Sequence, residues 1–176
     1  MYENFWAAVT FFGNPIPWIA IVTGLILVYM GMKWDYIHVR NREKVRHMLK
    51  HFLLLMIPVL FLSLAGSEML KVLLHIPRPC IACPAAMCNP YCPASFSFPS
   101  SHTATITGVV TALVLLLRKR KYLVLYALPV LIAVSRVELA VHTITDVTGG
   151  FFTGLLLTLL VWKYRKRIYK WEDEIV

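Results

Sequence analysis

Three short segments of this chain carry side chains able to do chemistry together. The first is Lys71-x6-Arg78-Pro79, two cations seven residues apart with His75 between them. On a continuing helix the two would stand within about 20° of each other around the axis. The second is Pro99-Ser100-Ser101-His102. Serines commonly cap helices, and a helix start also presents free N–H groups that suit a phosphate, within reach of a histidine two residues on. The third is Ser135-Arg136-x5-His142-x3-Asp146. At i and i+4 on one helix face, the Asp146 carboxylate takes the proton of one His142 ring nitrogen and leaves the other free to attack. Each segment has a plainer reading: a snorkelling lysine with a loop arginine, a helix cap, a buried polar pair. Together they make an anion site with two histidines.

The elements that must position them are membrane helices. Hydrophobic residues make up 59% of the chain and charged residues 15%, too little polar surface for a soluble globule. Five crossings of about 20 residues or somewhat fewer can be drawn: Ile16–Met32, Phe52–Leu74, Thr103–Leu117, Tyr122–Val137 and His142–Trp162. Phe5 to Phe12 is apolar but too short to cross, and Gly13-Asn14-Pro15 breaks it, so residues 1–15 read as an interfacial or re-entrant segment. No basic n-region or small-residue cleavage site marks the start as a secretory signal.

Of the 18 lysines and arginines, all but Lys71, Arg78 and Arg136 fall in the loop after the first crossing, the turn after the third or the tail 163–176. The positive-inside rule makes those segments cytoplasmic. The protein is then a multi-pass cell-membrane protein with its C-terminus inside, and its partners are the bilayer and anionic lipid rather than nucleic acid. The three exceptions gather at the outer face. Glu68, the only acid of the second crossing, lies one turn from Lys71 and reads as its structural partner.

In their order, the three motifs resemble those of the type 2 phosphatidic acid phosphatase superfamily, membrane lipid phosphate phosphatases related to vanadium haloperoxidases. With only two crossings before the first motif, where six-helix members have three, the chain looks more like the short undecaprenyl diphosphate phosphatases among them. The resemblance implies an all-α membrane bundle forming one domain, 1–176, with a haloperoxidase-like core. It implies that His142 attacks phosphorus to form a phosphohistidine, that Asp146 orients it, and that His102 protonates the leaving oxygen and then activates water. It further implies that Lys71, Arg78, Arg136, Ser100 and Ser101 bind the phosphoryl oxygens. Ser101 stands where the family usually has glycine, a change expected to have a modest effect because its N–H still donates. No cofactor or metal is expected, since three cations can stabilise the charge of phosphoryl transfer. The expected substrate is a polyprenyl diphosphate, with phosphatidic acid or another glycerophospholipid phosphate as the alternative. A lipid phosphotransferase and a silent lipid-binding protein are the competing classes; the silent protein would be expected to lack one of the histidines. Oligomeric state is not legible.

Cys80, Cys83, Cys88 and Cys92 lie in the outer loop between the first two motifs. Two disulfides, in any of three pairings, are the preferred reading, and a four-thiolate zinc site is the alternative. Gly149, Gly150 and Gly154 predict close packing of the last helix on a neighbour. Trp6, Trp18, Trp34, Trp162 and Trp171 read as interfacial anchors, and His38, His47 and His51 as solvated cytoplasmic residues.

Overall fold

Capping residues and prolines set the helix boundaries in the computed structural model of the protein. It describes residues 2–34, 41–82 and 92–175, with side chains for 4–34, 41–81 and 92–165. His38, Arg40, Cys83, Pro84, Cys88, Pro90 and the side chains of Lys166, Arg167, Lys170 and Trp171 lie outside these ranges. Six α-helices occur among the described residues: α1 (Tyr2–Phe11), α2 (Pro15–Lys33), α3 (Arg42–Leu74), α4 (Ser101–Leu117), α5 (Ala127–Glu138) and α6 (Ile144–Ile175). Strands are absent among them.

Asn14 caps α2 by accepting the Ile16 N–H at 2.9 Å, and Pro15 follows at the first helical position. The Trp18 indole donates to the Phe12 carbonyl at 2.7 Å and fixes the corner between α1 and α2. Three stretches, Asn4–Lys33, Arg42–Leu74 and Ile144–Arg165, are long and apolar enough to cross a membrane, and Ser101–Leu117 is apolar but shorter. The expected fourth crossing is made of two pieces, a 3-10 run over Arg120–Tyr126 and then α5. Seven residues of 3-10 helix and twelve of α-helix together reach about 32 Å, enough for a hydrocarbon core of about 30 Å.

Two boundaries differ from the sequence expectation. Helix α3 does not continue to Arg78: it stops at Leu74, where His75 takes the left-handed conformation (φ 49°) ahead of Pro77 and Pro79. The last helix does not include His142. It starts at Ile144, because Thr143 and Asp146 form a capping pair in which the Thr143 N–H donates to Asp146 Oδ2 at 2.7 Å and the Asp146 N–H to Thr143 Oγ1 at 3.3 Å.

Helix α4 is central, packing on α3, α5 and α6. Its approach to α6 depends on glycine. A Cβ on Gly150 would lie 2.5 Å from the Ser100 carbonyl oxygen, and one on Gly154 2.2 Å from that of Ala104. The small-residue face thus serves contact within the bundle. Leu55, Met56, Val59, Ala112 and Val161 fill the core among α3, α4 and α6.

Candidate active site

Every charged or imidazole residue singled out in the three motifs comes to one end of the bundle. Lys71 is in the last turn of α3, Arg78 in the following loop, His102 in the first turn of α4, Arg136 in the last turn of α5, and Asp146 in the first turn of α6. Lys71, Arg78, Arg136, His142 and Asp146 are each 6% exposed or less. Ionisable groups sunk this deep are costly unless the fold holds them for a purpose.

Although it has left the helix, Arg78 is firmly anchored. Its Nε donates to the Ser95 carbonyl at 2.6 Å, Nη2 to Ser95 Oγ at 2.9 Å, and Nη1 to the Val141 carbonyl at 3.0 Å. The same Nη1 lies 3.0 Å from His142 Nε2. A guanidinium has no acceptor, so Nε2 must carry the lone pair and Nδ1 the proton. Nδ1 points at Asp146 Oδ2 (3.6 Å) and Ser97 Oγ (3.4 Å). The Ser97 hydroxyl also donates to Asp146 Oδ2. The imidazole is therefore oriented from behind by a carboxylate and presents an unprotonated nitrogen to Arg78. Burial, then the charges of Arg78, Arg136, Lys71 and His102, hold the His142 imidazole well below its ordinary pKa, so it is neutral at neutral pH.

A turn delivers His142 to this position. Ala140 has φ 53°, and the N–H groups of Val141 and His142 both donate to the Arg136 carbonyl at 3.3 Å, folding the loop back over the end of α5. Arg136 in turn donates through Nη1 to Thr10 Oγ1 of α1 at 3.0 Å.

Lys71 donates to Glu68 Oε1 at 2.6 Å and to the Ser101 hydroxyl, which itself donates to Glu68 Oε1 at 2.8 Å. The expected Glu68–Lys71 contact is present, and the serine in the glycine position uses its side chain to hold the lysine. Ser100 comes to the site as a helix cap. Its Oγ accepts from Thr103, and its N–H donates to the Asp146 carbonyl at 3.0 Å, which joins the starts of α4 and α6.

Thr10, Ser95 and Ser97 were not singled out in the sequence. The serines lie within two to four residues of the Pro-Ser-x-His motif, but only the fold shows that they grip Arg78 and Asp146. Thr10 is 126 positions from its partner and carries no local signal.

Cys80 and Cys92 are joined in a disulfide with Cα atoms 5.9 Å apart, which closes the segment between Arg78 and Ser95. That bridge rules out a four-thiolate site; Cys83 and Cys88 lie outside the described residues. Among the described residues no three His, Cys, Asp or Glu side chains converge as a metal site.

Over residues 52–170 the sequence matches the PAP2 superfamily. The chain belongs to that superfamily. Phosphatidylglycerophosphatase B of Bacillus subtilis (strain 168) is 35% identical over 91 residues, 46% of this chain and 45% of that relative. The chain thus aligns with less than half the length of this curated PAP2 relative. The crystal structure of a transmembrane PAP2 type phosphatidylglycerolphosphate phosphatase from Bacillus subtilis superposes with a TM-score of 0.60 at 26% identity, covering 95% of this chain and 78% of the other. Aquifex aeolicus LpxE shares the fold, with a TM-score of 0.59 at 19% identity over 93% of this chain and 86% of its own. The all-α membrane architecture is that of PAP2 proteins, and the matched region holds all three motifs.

Proposed function

We propose that this PAP2 protein is a lipid phosphatase that works through a phosphohistidine on His142 Nε2. The observation that carries the reading is the pairing of His142 between Arg78 and Asp146, which leaves a neutral, oriented nitrogen beside Arg78 at the end of the bundle where Lys71 and Arg136 are also buried. In the first step Nε2 attacks phosphorus, the bond to the leaving oxygen breaks, and His102 gives that oxygen its proton. In the second, His102 takes a proton from water, the oxygen attacks phosphorus, the P–N bond breaks and phosphate leaves. Lys71, Arg78, Arg136 and Ser101 stabilise the negative charge spread over the phosphoryl oxygens in both steps.

For the substrate, the names of the Bacillus subtilis relatives support phosphatidylglycerophosphate, and the resemblance to short family members supports a polyprenyl diphosphate. The leaving oxygen is that of a glycerol alcohol in the first and of a phosphate in the second. Phosphate release from both, by wild type and by His142→Ala and His102→Ala, separates them. Acid-labile, base-stable label on His142 identifies the intermediate. Free phosphate with water as the acceptor supports hydrolysis; transfer to another lipid would make the protein a phosphotransferase. Undiminished release by folded His142→Ala refutes the mechanism.

The site faces away from the cytosol in this proposal. The ends of α3, α4 and α6 opposite the site carry Arg42–Lys50, Arg118–Lys121 and Lys163–Lys170, the segments that the positive-inside rule retains in the cytoplasm.

A further inference from the structure

Residues before 52 lie outside the superfamily match, yet α1 reaches the site. Thr10 accepts from Arg136, and a Cβ on Gly13 would lie 3.1 Å from His102 Cβ and 2.7 Å from Ile132 Cγ2. Trp6 packs against Cys80, Leu139 and Val141, beside the loop that carries His142. Helix α1 and the turn after it are thus held against the site at three points. Between α1, α4 and α5 runs an open groove of about 470 Å³, walled by apolar side chains that include Phe5 and Val9 of α1, Phe12 just after it, Ile106 of α4, and Leu131 and Ile132 of α5. Its volume falls within the usual range for ligand sites, about 300–1,000 Å³.

The chemistry says which way a substrate must lie. In-line displacement puts the leaving oxygen opposite the attacking nitrogen. With His142 Nε2 on one side, the leaving oxygen and the hydrocarbon bonded to it stand on the His102 side. Ile106 is one turn beyond His102 on the same face of α4, and Ile132 one turn before Arg136, so the groove begins where the leaving group ends. The α5–α6 groove contains Ile144 and Val147, on the His142 and Asp146 side, where the nucleophile blocks a leaving group. The α2–α3 groove lies along Ile57 to Leu64, short of Lys71.

We propose that the groove between α1 and α5 receives the hydrocarbon chain of the substrate, making α1 a specificity element that the superfamily match does not include. This rests on the phosphatase reading above. Phosphate release from hexadecyl phosphate in mixed micelles and from butyl phosphate in solution tests both ideas separately. Leu131→Trp fills the groove without touching a catalytic group. Each buried methylene carries roughly a fourfold factor, so excluding two or more should lower the hexadecyl-to-butyl ratio of kcat/KM by about tenfold or more. Val134→Trp, in the α5–α6 groove, should leave the ratio unchanged. Photolabelling of wild type by a long alkyl phosphate with a diazirine tail should mark Phe5 of α1, Phe12 just after it, or Leu131 of α5. A ratio unchanged by Leu131→Trp, or label confined to the other two grooves, overturns the groove and leaves the phosphatase reading intact. Release from neither ester by wild type, nor from any lipid phosphate, overturns both.

Discussion

Ser97→Ala is the sharpest test of how the proposed nucleophile, His142, is oriented. Ser97 is fully buried, and its hydroxyl donates to Asp146 Oδ2 while lying 3.4 Å from His142 Nδ1. The same carboxylate oxygen accepts the Thr143 N–H at 2.7 Å, so alanine removes one of two fixed donors and leaves the capping bond. A hydrogen bond to a charged group contributes about 1.5–3 kcal/mol. The carboxylate stabilises His142 most as charge develops on the ring, so this loss should fall on the chemical step, about 10- to 100-fold in kcat with KM little changed. The assay is steady-state phosphate release per folded molecule, with monodispersity in detergent and thermal midpoint measured alongside. Ser97→Thr, which restores a hydroxyl, should recover most of the rate. A lowered midpoint with kcat within twofold of wild type would show that Ser97 only supports the fold and would refute the orienting role.

Thr10→Val keeps the shape of α1 but removes the acceptor of Arg136, and should raise KM about tenfold, the worth of one charged hydrogen bond; unchanged KM would detach α1 from the phosphate site. The pKa of His142 is lowered, so its reactive neutral form persists as pH falls through the ordinary imidazole value of about 6.5. Phosphohistidine formation should therefore continue to roughly pH 5, and an acid limb centred near 6.5 that vanishes with His142 substitution would contradict the shielding. Activity should survive EDTA, since three cations stand where a metal would act; loss reversed only by a divalent ion would refute that. Cleaving the Cys80–Cys92 bridge, whose ends are 12 residues apart, should cost about 3 kcal/mol and loosen Arg78. Thermal midpoint and kcat/KM measured with and without reductant check this, and no change in either would refute it.

How much of the site was legible depends on how local each determinant is. Lys71, Arg78, Arg136, both histidines and Asp146 stood out because charge and imidazole at a membrane edge need a reason. Thr-x-x-Asp was readable as a helix start, and taking it as such would have put His142 outside the helix. Likewise Pro77 and Pro79 mark the end of α3 before Arg78. Spacing on an imagined continuous helix misplaced both residues, yet the grouping survived because it came from the order of the crossings and not from the helix angle. The partners of these groups were not legible. Ser95, Ser97 and Thr10 are ordinary polar residues until the fold sets them 3.0 Å or less from an arginine or carboxylate.

The hydrogen bonds that start two helices also build the chemistry. Ser100 begins α4 and hands its N–H to the carbonyl of Asp146, while Asp146 caps α6 and turns the same carboxylate toward His142. Both helix starts therefore meet at the proposed phosphate site, each with its positive dipole end and one histidine beside it. The N–H groups of a helix start that its own cap leaves over are satisfied by water or by an anion. An anion answers that deficit. The cost of leaving helix starts and cations near the membrane edge becomes binding energy for the one ligand that neutralises them, so cap and site cannot be altered separately. Substitution at Thr143, which touches no substrate, should consequently lower the thermal midpoint and kcat together.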